Sequence, residues 1–210
     1  MSMAAAAWVI SLVVAALSLQ LLSLSRAAVH PSNLEPHQYH PRPLRQVTSI
    51  HAVAVLHGVS PNMTGKLFFD QQFSKWGPVR IHGNLQGLGD TVRGIAVYAY
   101  GNLTDNCRSI GGHFNPDWFP HGAPSDRSPS LVRFRLRHVG DLGNVNGSHP
   151  IDLVDKKMAL FGRNSIIGRT IGVAMMADDL GKTDAPSSRK TGNAGPVVLC
   201  GIVGKLLVKY

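Results

Sequence analysis

From Ser49 onward the chain is cut into short apolar runs by glycine- and proline-rich turns, at residues 50–56, 66–69, 78–85, 93–100, 132–138, 158–161, 170–176 and 197–208. Runs this short are strands rather than bundle helices, and their spacing predicts an all-β sandwich or barrel. Composition points the same way, because 22 glycines, 13 prolines and only 16% charged residues disfavour a coiled coil or a helical bundle. At 210 residues there is enough chain for one sizeable core and a tail, not for two full domains. The clearest alternation sets Val132, Phe134 and Leu136 against Arg133, Arg135 and Arg137, which predicts a half-buried strand with a basic outer face.

The first 48 residues are of another kind. Residues 3–24 are nearly uncharged and apolar, and Ser25-Arg26-Ala27 places small residues at −3 and −1 of a cleavage point, so residues 1–28 read as a secretory signal peptide. Uncleaved, this stretch is long enough to span a bilayer, and Arg26 behind it would then keep the domain in the cytosol. Three acceptor sequons, at Asn62, Asn102 and Asn146, favour the secretory lumen. The expectation is a secreted, extracellular glycoprotein with no membrane span after signal cleavage. Residues 29–48 hold His30, His37, His40, Pro31, Pro36, Pro41 and Pro43, which predicts a flexible linker before a domain at 49–210. Cys107 and Cys200 either form a bridge, worth about 4–5 kcal/mol by loop closure, or stay separate buried thiols.

The balance of 21 Lys and Arg against 12 Asp and Glu gives +9, which favours polyanionic partners without conferring specificity. No G-x-G-x-x-G, Walker loop or G-x-S-x-G is present, and nothing indicates a specific nucleic-acid partner. What stands out is a Gly/Pro-rich stretch carrying His113, His121, His138 and Asp141. Three imidazoles and one carboxylate suit a tetrahedral zinc ion, and in so irregular a segment metal-binding energy would also be folding energy.

The segments Gly112-His113-Phe114-Asn115-Pro116, His138-Val139-Gly140-Asp141-Leu142-Gly143-Asn144, Ile166-Ile167-Gly168-Arg169-Thr170, Ala177-Asp178-Asp179-Leu180-Gly181-Lys182 and Lys190-Thr191-Gly192-Asn193-Ala194-Gly195 together resemble the copper/zinc superoxide dismutase family. The resemblance runs from about Ile50 to Gly204 and implies a Greek-key β-barrel with long metal-binding loops. It implies that Cys107 and Cys200 are the family's disulfide, that His113, His121, His138 and Asp141 are its zinc ligands, and that Asp178 is the carboxylate orienting them. At the positions of the three histidines that bind only copper stand Ala96, Tyr98 and Ala174, and Val197 replaces the arginine that guides superoxide. The loop between His121 and His138, with Arg127 in it, is longer than the family's usual spacing, and 182–190 keeps few of the family's acidic residues.

Dismutation needs a metal that changes oxidation state, which zinc does not. The sequence therefore predicts a structural zinc site without copper, in a protein that acts by binding. Two other functions stay open: an extracellular dismutase with a non-standard copper site, for which strand alternation would place Met176 beside Ala174 as a soft donor, and a polyanion-binding matrix protein. Core packing is the alternative role for Met176. Metal buffering by the His-rich linker and the zinc cluster is a further reading. Segments 166–168 and 201–204 resemble the family's dimer contact and imply an isologous homodimer, which a glycan on Asn102, beside the corresponding loop, would block.

Overall fold

The computed structural model describes residues 49–72, 77–126 and 136–207. The proposed signal peptide and linker, and Arg127, Val132, Arg133, Phe134 and Arg135, lie outside the described residues. Among the described residues nine strands carry the fold: β1 (Ser49–Gly58), β2 (Thr64–Gln72), β3 (Val79–Gln86), β4 (Val92–Tyr98), β5 (Asp141–Asn146), β6 (Ile151–Asp155), β7 (Thr170–Ala174), β8 (Val197–Ile202) and β9 (Gly204–Leu206), with one short helix, α1 (Ser188–Thr191). All strand pairs are antiparallel. The order β5-β4-β7-β8-β1-β2-β3-β6 ends on strands joined by a short turn, so the sheet nearly closes into an eight-stranded Greek-key barrel, and β9 pairs with β1.

Period-two alternation fills this barrel. Ala52, Ala54 and Leu56 from β1, Leu67 and Phe69 from β2, and Val79 and Ile81 from β3 point inward and are fully buried. Each large apolar side chain so buried contributes about 1.5–3 kcal/mol. Strand β4 is buried on both faces: Ile95 and Val97 enter the barrel core, whereas Ala96 and Tyr98 belong to a second apolar cluster outside it.

Three sequence expectations change. The 132–138 run is not a strand where it is described: Leu136 is 41% exposed and Arg137 fully buried, the reverse of the expected alternation. Residues 158–161 form a loop whose Met158 and Leu160 plug the core. Strands β5 and β6 lie outside the predicted runs because Asp141, Asn144 and Asn146 take half of β5, and Asp152 and Asp155 interrupt the short apolar stretch of β6.

Candidate metal centre

Strand β4 is the platform for the site. Ala96 lies opposite Asp141 in the β4–β5 ladder, next to a bulge, and Tyr98 forms an isolated bridge with His113. Between them, Val97 N–H donates to Gly140 O (2.9 Å), Phe114 N–H to Val97 O (2.8 Å) and Gly140 N–H to Phe114 O (2.9 Å). The His113 arm and the His138–Asp141 arm are thus stitched to one residue. Gly140 permits this because a Cβ there would lie 2.1 Å from Val97 O. His121 comes from a third segment, its N–H donating to Arg189 O of α1 (2.9 Å).

The four side chains meet as the sequence predicted. Their candidate ligand atoms all lie within 4.8 Å of one another, and the side chains are 0–7% exposed. Asp141 Oδ1 is 2.8 Å from His113 Nδ1, 2.9 Å from His121 Nδ1 and 3.0 Å from His138 Nδ1. Its other oxygen accepts from the backbone N–H of His138 (2.9 Å) and Gly122 (3.2 Å). His121 Nε2 lies 2.8 Å from Asp178 Oδ1, and Asn144 clamps Asp178 through a reciprocal pair of bonds to its backbone.

This geometry calls for a cation. With its Nε2–H given to Asp178, a neutral His121 turns the Nδ1 lone pair toward the Asp141 carboxylate, acceptor against acceptor. His121 Nδ1 and His138 Nδ1 are accordingly buried without a hydrogen bond, a cost that a coordinated ion removes. The residues fit a divalent ion with an N3O preference. In the metal-free chain a proton serves instead: burial opposes it, but Asp141 and Asp178 outweigh burial and lift His121 from its ordinary 6.5 to about 9. Burial likewise would raise Asp141, yet the three imidazoles hold its carboxyl well below the usual range.

The sign of the pH effect follows. Because the folded value is raised, the charged ring stabilises the metal-free chain fully below pH 6.5, and that contribution disappears as pH rises through about 9. A divalent ion bound here must displace this proton, so titration with zinc near neutral pH is expected to release about one proton from His121, read by calorimetry in buffers of different ionisation enthalpy.

Two residues that sequence reasoning did not place at the site support it. Arg137, expected on a basic outer face, is fully buried beneath the loop because its guanidinium forks between carbonyls and a carboxylate. Nη1 donates to His138 O (2.9 Å) and Asp141 O (2.7 Å), and Nη2 pairs with Asp155. Gly192, with φ 65°, passes so close to the His121–Asp178 pair that a Cβ would sit 1.8 Å from Asp178 Oδ1 and 2.6 Å from His121 Nε2. Gly192→Ala is expected to displace that pair and lower metal affinity about 10–100-fold, measured by competition with a chromogenic chelator.

No imidazole stands at the positions where the resemblance sets copper-binding histidines. Ala96 and Ala174 are buried methyl groups, and Tyr98 packs with Ile110, Leu103 and Val197. The Tyr98 ring meets His113 edge-on at 5.0 Å. Burial, reinforced by Asp178 and Asp141, pushes its phenol well above the ordinary value and disfavours the ligating phenolate. Met176 fills neither role expected of it. Strand β7 ends at Ala174 after a register shift, so alternation does not reach Met176, which is 49% exposed and rests near Gly195.

Cys107 and Cys200 are joined in a disulfide. Among the sequons, Asn62 and Asn102 are exposed, while Asn146 is half-buried with its Nδ2 donating to Asp90 Oδ1 (2.7 Å).

The comparisons with known proteins agree with this architecture. Residues 63–203 match the family described as copper/zinc superoxide dismutase. A solved crystal structure, that of the clock protein EA4, superposes with a TM-score of 0.66 at 40% identity, covering 79% of this chain and 100% of that one. Barrel, disulfide and the convergence of His113, His121, His138 and Asp141 lead to the same place: the chain belongs to the copper/zinc superoxide dismutase family.

Proposed function

We propose that the chain is a secreted, glycosylated member of this family that holds one zinc ion for structure, has no copper centre, does not turn over superoxide and acts by binding another molecule. The observation that carries this reading is the apolar cluster of Ala96, Tyr98, Ile110, Leu103 and Val197 where copper donors and a guiding arginine would be needed. His113, His121, His138 and Asp141 would hold the zinc, with Asp178 and Arg137 fixing His121 and the His138–Asp141 turn. Bound zinc supplies charge neutralisation and folding energy, and no electron transfer. Asn62, Asn102 and Asn146 are the expected glycan sites, the first two exposed and Asn146 half-buried beside Asp90. The +9 charge supports an extracellular polyanion as partner, and elution from heparin at higher salt than a protein of equal charge checks it.

The test of the central reading is elemental analysis of the protein after exposure to copper and zinc, paired with a superoxide assay. About one zinc per chain, no copper and no activity is the expected result. Stoichiometric copper with dismutation would overturn it.

A further inference from the structure

The outer face of β1, β2 and β3 contributes no residue to the metal cluster, yet it carries a chain of hydrogen bonds with a chemical order of its own. His51 lies directly opposite Asp70 in the β1–β2 ladder, and Ser49, two residues before His51, shares its face. Ser49 Oγ is 2.8 Å from His51 Nε2, and His51 Nδ1 is 2.5 Å from Asp70 Oδ1. The second carboxylate oxygen is held by His82 Nε2 of β3 at 2.8 Å, and the His82 ring stacks on Phe68.

Proton positions follow from valence. An ionised Asp70 only accepts, so His51 Nδ1 carries the hydrogen in that bond, and Nε2 is left with a lone pair toward the Ser49 hydroxyl. These are the relations of nucleophile, base and orienting carboxylate that define a serine triad by role rather than by sequence position. The three residues line a shallow groove of about 440 Å³ shared with Gln72, Pro78 and Arg80. Arg80, paired with Asp152 through Nε (2.9 Å) and Nη2 (3.0 Å), holds an ordered guanidinium at the edge of the groove.

We infer that Ser49, His51 and Asp70 form a second, acyl-transfer site on the barrel wall that takes short-chain carboxylic esters. Ser49 Oγ attacks the ester carbonyl and its proton passes to His51 Nε2; the carbonyl–alkoxy bond breaks and the leaving alkoxide takes that proton. Water then attacks the acyl-serine, giving its proton to His51, and the bond to Oγ breaks to release the carboxylic acid and restore the hydroxyl.

The test uses the full chain with p-nitrophenyl acetate as substrate and a fluorophosphonate probe whose label is located by peptide mass spectrometry. The expected result is labelling at Ser49 and hydrolysis that falls about tenfold or more in Ser49→Ala and in His51→Gln, with the melting temperature unchanged in Ser49→Ala. His57→Gln, an exposed histidine on the same strand, is expected to leave the rate unaltered. Hydrolysis equal in Ser49→Ala and the parent chain, or a label absent from Ser49, would overturn the assignment. Neither result bears on the metal reading, which stands on other residues.

Discussion

Arg137→Met is expected to cost about 3–5 kcal/mol of unfolding free energy, the range found when one partner of a buried ion pair is removed. The methionine fills much of the space but leaves Asp155 Oδ2 without its partner and frees the carbonyls of His138 and Asp141. Asp155 keeps its other oxygen on the N–H groups of Lys157 (2.7 Å) and Met158 (2.8 Å), so the lesion concentrates on the metal loop. Arg137→Lys should recover only part of the loss, because an ammonium cannot fork between a carboxylate and two carbonyls. Denaturant unfolding of the metal-free and zinc-loaded forms measures both; a loss below about 1 kcal/mol in each would show that Arg137 does not anchor the loop.

The second large effect is expected from Cys107→Ser with Cys200→Ser. The bridge closes a separation of 93 residues, and by the chain-entropy relation its removal costs about 4–5 kcal/mol. Cys107 and its neighbour Asn106 both sit at positive φ, 69° and 42°, in the segment that leads to His113. Without the bridge that segment loses its tie to β8, so faster zinc loss should accompany the lower stability. Unfolding of the metal-free double variant against the oxidised parent, at one pH, isolates the covalent contribution. Equal midpoints would rule it out.

How far these features can be read from sequence depends on how local their causes are. The His/Asp cluster was legible because ligand chemistry restricts residue type to histidine, cysteine and carboxylates, and three histidines and an aspartate stand within 29 positions of Gly/Pro-rich chain. The apolar-run strands were legible because one face of each meets the core. Arg137 was not, because nothing nearby distinguishes it from Arg133 and Arg135; its burial depends on Asp155, 18 residues on, and on the carbonyls of a turn that exists only once Asp141 is engaged. Gly192 was quoted in a motif, but its steric necessity arises from Asp178 and His121, which only the folded chain brings against it.

The apolar cluster beside His113 also has a historical meaning. Histidine introduced alone at 96, 98 or 174 would bury a polar ring among methyl and aromatic groups, with no metal to compensate until the remaining donors had arrived. Every first step toward a copper site therefore runs uphill in stability. The cluster thus acts as a ratchet against single substitutions, since no one change at these positions assembles a donor set.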